Sequence, residues 1–464
     1  MIRIAESGDS QSKAASSKRK PRGLKRRWAD FGSVAPAVML IAYFLYNPVE
    51  GTPTLHFYYL MMIWTLALLA LNHVGTSRRL ITPIRLSIVN LVVMAIYAIY
   101  DNIKQYVALD PRSIYLWFSD FHVYARPSLY MLFYLWVMRK GRLEAATKFT
   151  FAACMIYITQ YIANLLVDMR SDLLGIASNF HNSFLACMAM VSLFYLIDLQ
   201  TRRRTTGIKT IAIVTVCMCL FTIPFFGVLR AASMILIILT SMMLFMYGIR
   251  GKILYVGVII LVVAIGLWFT VGERVGSLFR ENRYGYRSPL EVLQGATQIT
   301  EGTGEQRLTW WTETALPIFE ADPAFGSAFN FVFTVNTSGG EVAGVGMFHN
   351  YWASMLVDGG LVLAVPHTLL LIYPVFVGFG LVRKKDRRPI PYILWILAVL
   401  MTNITNGWGH TTFHGEFEYM IYGTAAANII YCRITRKSLS QLNAYSKDTT
   451  TNASSAPMPA AVTQ

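Results

Sequence analysis

The stretch of sequence that decides the fold class covers residues 360–385 and reads GLVLAVPHTLLLIYPVFVGFGLVRKK. A helix needs roughly 20 mostly apolar residues to cross a bilayer. The part from 360 to 382 reaches this length without an acidic side chain, a lysine or an arginine, and Arg383, Lys384 and Lys385 follow it directly. This pattern predicts a membrane-spanning helix that ends in a basic loop.

Similar apolar runs occupy most of the 464-residue chain. Charged residues make up only 14% of it, well below the roughly 25% typical of soluble domains. We therefore predict an all-α, polytopic integral membrane protein with about twelve transmembrane helices and one large extracytoplasmic loop that contains short helices. The runs cover residues 33–49, 55–73, 84–100, 119–138, 149–167, 182–199, 210–229, 231–248, 253–271, 360–382, 390–405 and 417–432.

The basic residues predict the orientation of these helices. With this set of runs, 31 of the 41 Lys and Arg residues fall on the side of the N-terminus. Cytoplasmic loops of membrane proteins carry such an excess. Both termini are therefore expected in the cytoplasm. The formal net charge of +16 is mostly this orientation signal, so we expect no binding to nucleic acid.

Three regions follow from the runs. Residues 1–32 form a basic cytoplasmic tail, residues 33–432 form the transmembrane domain, and residues 433–464 form a cytoplasmic tail that is expected to be disordered. The last part is rich in Thr, Ser, Ala and Pro, a composition that buries little apolar surface.

The large outer loop covers residues 272–347 within the transmembrane domain. Thr303 and Gln306 have the spacing of a capping box at the start of a helix. Pro317 is expected to kink that helix and Pro323 to end it. A glycine-rich strip over residues 338–346 suits a mobile lid. The apolar residues at helical spacing are Leu308, Trp311, Ala315 and Ile318.

A histidine follows this loop directly. The segment after it predicts a short helix that begins near Asn350 and stops at Gly359 and Gly360. His349 would lie at the N-terminus of that helix, where the positive end of the helix dipole favours a neutral, proton-accepting imidazole. Backbone N–H groups at the same end could bind phosphate. A histidine that merely caps a loop is the structural alternative.

Nine of the ten basic residues predicted on the outer side are arginines. The planar guanidinium matches phosphate oxygens in a bidentate way that lysine cannot reproduce. Arg230 lies between two apolar runs with almost no polar loop, so a partner or a wet cavity is expected for its charge. Ordinary solvation is the alternative for the others, which are Arg112, Arg126, Arg170, Arg274, Arg280, Arg283, Arg287 and Arg307.

Several familiar catalytic signatures do not occur in the sequence. It has no phosphate-binding glycine loop before a helix, no His-Glu-x-x-His and no Gly-x-Ser-x-Gly. We therefore expect no nucleotide, no metal and no other cofactor, and a donor that is carried on a lipid. His410 and His414 have the i, i+4 spacing of a metal site, but a structural role for them is the favoured interpretation.

These residues together resemble the superfamily of bacterial O-antigen ligases and related O-antigen and exopolysaccharide polymerases. The resemblance covers roughly residues 205–385. The pattern is an arginine, a tryptophan, a proline, a glycine and His-Asn before a helix closed by glycine, with a second arginine on a short turn some helices earlier. The matching residues are Arg307, Trp310 or Trp311, Pro323, Gly326, His349, Asn350, Gly360 and, for the earlier turn, Arg230.

The resemblance implies a metal-independent glycosyltransferase in the bacterial inner membrane, with its active site facing the periplasm. It would move a glycan from undecaprenyl diphosphate to a hydroxyl of another glycan or of lipid A core. A chain-length regulator or other polysaccharide-assembly proteins are further partners to expect. His349 would act as the general base, and Arg307 and Arg230 would stabilise the departing diphosphate. Substrate binding would involve Asn350, Trp310, Trp311, Tyr351 and Arg126.

Two departures from the family pattern bear on the reaction. Gly326-Ser327-Ala328 stands where the family often has Gly-x-Gly, and Trp311 stands where ligases often have leucine. The second departure favours a polymerase slightly over a ligase. A flippase or another transporter is the alternative from a different class, but few charges are predicted in the middle of helices and no internal repeat supports it.

Overall fold

A computed structural model gives the structure, which describes residues 32–46, 53–74, 80–105, 111–168, 238–239, 242, 246, 310–327, 333–337, 340–345, 350–405 and 415–454. Helices dominate these ranges. Five of them precede the loop region: α1 (Ala35–Tyr46), α2 (Pro53–Val74), α3 (Ile81–Gln105), α4 (Pro111–Arg139) and α5 (Leu143–Asp168). Later come a π-helix (Trp310–Ala315), α6 (Leu316–Ala321), α7 (Tyr351–Arg383), α8 (Ile390–Thr405) and α9 (Gly415–Ser454).

Helix α4 lies at the centre of the described bundle, where it packs against α2, α3, α5, α7 and α9. Every residue from 122 to 135 is buried, as expected of a helix surrounded by others. Helix α9 approaches α4 closely at Gly423, where a Cβ atom would lie 2.9 Å from the carbonyl oxygen of Tyr130. The absence of a side chain there lets the two helices pack along their length.

Eight of the predicted apolar runs overlap the eight long helices of the described part of the chain. Among the described residues, two helices, Ile81–Tyr100 and Tyr351–Arg383, are long and apolar enough to cross a membrane by length and composition, which is consistent with a membrane protein. The apolar stretches Tyr58–His73 and Ile390–Asn403 are shorter. The total of twelve stays a prediction, because the structure does not describe the other four runs, except for residues 238, 239, 242 and 246. These runs are 182–199, 210–229, 231–248 and 253–271.

The described bundle is helical, as predicted, and the large loop adds one short hairpin. Strands β1 (Phe333–Thr337) and β2 (Gly340–Val345) pair antiparallel, with Val335 opposite Val342 and Thr337 opposite Gly340. Two residues, Ser338 and Gly339, separate the strands in the sequence, and a Ser-Gly pair followed by a second glycine is a turn signal. The strip predicted as a mobile lid is therefore largely a strand.

Helical structure extends into the predicted C-terminal tail. Helix α9 continues to Ser454, whereas the sequence predicted a disordered tail from residue 433. The stretch from 433 to 454 contains neither proline nor glycine, and the first proline beyond it is Pro457. Without a helix breaker, a helix that is already nucleated by packing adds further residues easily.

Candidate functional site

Three helices meet at one end of the bundle, which we call the site end. The hydroxyl of Tyr124 in α4 donates to Oδ2 of Asp358 in α7 at 2.5 Å. Tyr97 in α3 donates to the backbone carbonyl of the same aspartate. Asp358 was not among the residues singled out from the sequence. The structure places it where α3, α4 and α7 converge.

Helix α7 begins with a side-chain cap. The Oδ1 atom of Asn350 accepts from the backbone N–H of Trp352 at 3.0 Å and of Ala353 at 3.2 Å. A capping side chain of this kind satisfies N–H groups that have no partner within the helix. The predicted helix start at Asn350 is thus confirmed. His349, the preceding residue, lies outside the described residues.

The same helix is broken at its tenth residue. Gly360 has φ 57° and ψ −158°, a conformation that almost only glycine adopts. The break frees backbone groups, and residues of the large loop bond to them. Leu361 N donates to Pro323 O at 2.9 Å, Val362 N donates to Ala324 O at 3.0 Å and Ser327 N donates to Val357 O at 2.6 Å. We call this pairing of residues 323–327 with the break the interlock.

Two glycines make the interlock possible. A Cβ atom on Gly360 would lie 2.5 Å from the carbonyl carbon of Ala324. A Cβ atom on Gly326, which also has a positive φ of 68°, would lie 2.8 Å from the carbonyl carbon of Asp358. Backbone atoms cannot move aside as a flexible side chain can. The proline and the glycines of the sequence pattern therefore have a physical explanation in backbone packing.

The segment before the interlock is helical. The π-helix passes into α6 just before Pro317, which occupies the first turn of α6, where its missing N–H leaves no helix bond unmade. Helix α6 ends at Ala321, two residues before Pro323, so the predicted end is confirmed. Both helices pack against α7. The two elements that follow Arg307 and His349 in the sequence are therefore in contact.

Residues 227–367 match the model of a family described as O-antigen ligase. The match confirms the resemblance to the O-antigen ligase superfamily. No curated protein matches the chain. The superfamily is a membrane family of glycosyltransferase-type enzymes that act on lipid-linked glycans and acceptors. The matched stretch, which we call the O-antigen ligase segment, contains the π-helix, the interlock, Asn350 and the first half of α7.

One predicted substrate-binding residue of the O-antigen ligase segment is buried inside the bundle. Tyr351 is 1% exposed, and its hydroxyl is hydrogen-bonded to Nε2 of His367 at 2.7 Å. Its ring lies 5.6 Å from the ring of Tyr124. This placement favours a role in holding the start of α7 over one in stacking on a sugar.

A second polar cluster lies beside the O-antigen ligase segment, between α4 and α9. The carboxylate of Glu416 is fully buried. Its Oε1 lies 2.5 Å from Nε of Arg126 and 2.9 Å from Nε2 of His122. Its Oε2 accepts from the hydroxyl of Tyr130 at 2.7 Å. The contact with Arg126 is an ion pair without the alignment of a hydrogen bond.

The hydrogen bonds of His122 define its protonation state. The indole N–H of Trp64 points to Nδ1 of His122 at 3.1 Å. Indole can only donate, so Nδ1 must accept and carries no proton. The proton of the neutral imidazole is then on Nε2, from which it is donated to Glu416. The cluster thus contains one positive and one negative charge.

Arg126 was predicted to bind substrate, and that role stays a prediction. In the structure its side chain is completely buried and is paired with Glu416. Glu416 was not predicted from the sequence, because it stands at the edge of an apolar run. A usable signal existed in α4, where three polar or aromatic residues recur every four positions on one helix face: His122, Arg126 and Tyr130.

The other predicted site residues are only partly described. Trp311 is half-buried and Trp310 begins the π-helix. Arg230, Arg307, His410 and His414 lie outside the described residues, as His349 does. Within the ranges that the structure describes, no group of three or more His, Cys, Asp or Glu side chains could hold a metal ion.

Proposed function

We propose that this protein is a membrane glycosyltransferase that moves a glycan from undecaprenyl diphosphate to an acceptor hydroxyl. The reaction would take place at the site end of the bundle, facing the periplasm, in a bacterial inner membrane. The observation that carries the proposal is the interlock. It joins the element that follows Arg307 to the element that follows His349, although these two residues are 42 positions apart in the sequence.

The proposed chemistry is one displacement at the anomeric carbon of the donor sugar. The acceptor oxygen forms a bond to this carbon while the bond from the carbon to the diphosphate oxygen breaks. His349 takes the proton of the acceptor hydroxyl. The undecaprenyl diphosphate leaves with the electron pair of the broken bond. The guanidinium groups of Arg230 and Arg307 stabilise the negative charge that develops on it.

The cap on α7 supports the proposed state of His349. This residue immediately precedes Asn350, whose side chain satisfies the first N–H groups of the helix. The positive end of the helix dipole acts within about one turn of such a terminus, and it disfavours a second positive charge there. A neutral imidazole is the form that can accept a proton. The aromatic rings of Trp310 and Trp311 are candidates to lie along the sugars, and Asn350 is a candidate to bind them.

The opposite end of the bundle supports the proposed orientation. Several basic residues cluster there, including Arg139, Arg388, Arg433 and Arg436. Basic residues near helix ends favour the cytoplasmic side. The site end would then face the periplasm, where lipid-linked glycans and their acceptors meet. Polysaccharide-assembly proteins such as a chain-length regulator are possible partners on that side.

Polymerisation of O-antigen or exopolysaccharide repeat units is our first choice of reaction, because Trp311 stands where ligases often have leucine. Transfer to lipid A core is the second candidate, and the description of the matched family favours it. The deciding measurement is the glycan found in a deletion strain. Single repeat units on the lipid carrier indicate a polymerase. Long carrier-linked chains together with bare lipid A core would contradict it and indicate a ligase.

The transfer itself is tested with two substitutions in the complete protein. His349→Ala is expected to lower the transfer rate by about 10²–10⁴-fold through loss of the base. Arg307→Lys keeps the positive charge but loses the planar guanidinium and its bidentate hydrogen bonds, so its glycan transfer should also be severely impaired. Arg388→Lys at the opposite end is the matched control and should transfer normally. If His349→Ala is present in wild-type amounts and still forms nearly normal amounts of product, this residue is not the general base.

A further inference from the structure

We propose that Glu416 is a positioning residue for this transfer. By holding His122, Arg126 and Tyr130 on one carboxylate, it sets the position of α4, and through Tyr124 it sets the position of the broken helix α7. The inference rests on the proposed function, because its effect is read as a rate of glycan transfer.

The contacts of Glu416 fix the relative orientation of α4 and α9. Apolar packing between two helices permits small rotations and shifts at little cost, because it is not directional. Glu416, at the second position of α9, is held instead by three side chains on successive turns of α4. A hydroxyl pair extends this contact from Tyr130 to Tyr59 of α2. These contacts fix both the rotation of α4 about its axis and its position along that axis relative to α9.

Helix α4 transmits this position to the O-antigen ligase segment. Tyr124 lies midway between His122 and Arg126, and it points to α7 instead of α9. Its hydroxyl binds the carboxylate of Asp358, two residues before the break at Gly360. Its ring also packs against Tyr351, directly after the Asn350 cap. A shift of α4 would therefore move both ends of the short helical piece that follows His349.

The burial of the cluster argues against a purely stabilising role. Both members of the Arg126–Glu416 pair have fully buried side chains. Replacing a buried ion pair by well-packed apolar residues is often neutral for stability or favourable, so such a pair is weak evidence for stabilisation. The hydrogen bonds of Glu416 with His122 and Tyr130 are directional and supply a defined geometry, and transfer reactions depend on geometry. A displacement of about 1 Å far from the reacting atoms can cost about 10²-fold in rate.

Two tyrosines of α4 provide a matched test. Tyr130→Phe removes one hydrogen bond to Glu416. Tyr134→Phe removes an equally buried hydroxyl one turn further along, which is bonded to Thr150 instead. Each variant of the complete protein is assayed with undecaprenyl-diphosphate-linked glycan extracted from the deletion strain. We expect Tyr130→Phe to lower kcat by about tenfold with KM unchanged, and Tyr134→Phe to stay within about twofold of wild type.

A second variant removes both charges at once. Arg126→Met combined with Glu416→Leu is expected to accumulate normally in membranes but to have a kcat at least as low as that of Tyr130→Phe. Equal kcat values for the two tyrosine variants, or a double variant with wild-type kcat, overturn the positioning role. A wild-type protein that makes no product from the extracted donor contradicts the proposed function itself, and the inference falls with it.

Discussion

The two ends of the bundle hold their charges in different ways. At the site end, the Arg126–Glu416 pair has side chains that are 0% exposed and crosses between two helices. At the opposite end, Arg388 pairs with Asp386 two residues away, and the arginine side chain is 41% exposed. Arg388 also donates to the carbonyl of Cys432 at 3.3 Å. One pair joins distant segments inside the protein, and the other shapes a loop at its surface.

This difference teaches how much each charge depends on its partner. A buried ion that loses its partner cannot be solvated by water, so the remaining charge is costly. A partly exposed ion exchanges its partner for water at little cost. The site end should therefore respond steeply to single substitutions, and the opposite end only weakly.

The largest effect on stability is expected for Glu416→Ala. The substitution leaves the Arg126 charge buried without its carboxylate, which should cost about 3–5 kcal/mol. The double variant with Arg126→Met and Glu416→Leu should recover most of this loss. Thermal unfolding of the detergent-solubilised protein measures both variants. If the single and the double variant unfold at the same temperature, the unpaired buried charge of Arg126 does not cause the loss of stability.

The next largest effect is expected for Gly360→Ala. The backbone conformation alone should cost about 1–3 kcal/mol for a residue with a side chain, and the added methyl group also meets the backbone of Ala324. Gly380→Ala in the same helix is the control, because a Cβ there meets no atom within 4 Å. It should be neutral or slightly stabilising. Equal melting temperatures for the two variants would mean that the interlock does not require glycine.

A smaller effect is expected for Asp386→Asn at the opposite end. Partial burial raises the pKa of the Asp386 carboxyl, but hydrogen bonds from Arg388 outweigh this and hold the pKa below its usual 3.8. The stabilisation is therefore present above that value and is lost as the pH falls through the lower pKa of the folded protein. At neutral pH the substitution should cost about 1 kcal/mol or less.

The pH dependence of the melting temperature provides a control for the Asp386→Asn prediction. The difference in melting temperature between wild type and Asp386→Asn should be constant from neutral pH down to about pH 5, and it should shrink below about pH 4. A difference that grows on acidification would contradict the assigned direction of the pKa shift.

The smallest effect is expected for Glu144→Gln in α5. Its carboxylate pairs with Lys148 at 2.9 Å in an i, i+4 arrangement, with side chains 58% and 63% exposed. Such surface pairs contribute about 0.3–0.5 kcal/mol. The change in melting temperature should be near the error of the measurement and should vanish in high salt. A loss of stability as large as that of Asp386→Asn would mean that solvent exposure does not determine how much each of the three ion pairs contributes.

Much of the helical framework was predictable from the sequence. Apolar runs of sufficient length specify helices by themselves, so the runs at 84–100 and 360–382 fall within α3 and α7. The cap at Asn350 was predictable for the same reason, since capping is a local interaction. The hairpin at 333–345 was not predicted, because glycines are typical of mobile loops as well as of tight turns. The helical end of α9 was not predicted, because its polar composition is also typical of disordered segments.

The contacts of the site were less predictable. Pro323, Gly326 and Gly360 could be picked out as a pattern, but the pairing between them joins backbone atoms of residues far apart in the chain. Glu416 illustrates the same limit. Its partners lie about 290 positions earlier, as the 294-residue separation from His122 shows, and nothing local indicates that two such helices touch. Periodicity shows which face of a helix is polar, but it does not show what that face meets.

The interlock has an evolutionary consequence, because its hydrogen bonds use only main-chain groups. Pro323, Ala324 and Ser327 take part through carbonyl oxygens or an N–H, whichever side chain they carry. Apart from the glycines, these positions can change without loss of the bonds that fasten the loop to the membrane helix. In a glycan-transferring enzyme of the proposed kind, such a loop is free to diversify its surface towards different sugars while its attachment stays constant. One catalytic framework can in this way serve glycans of many structures.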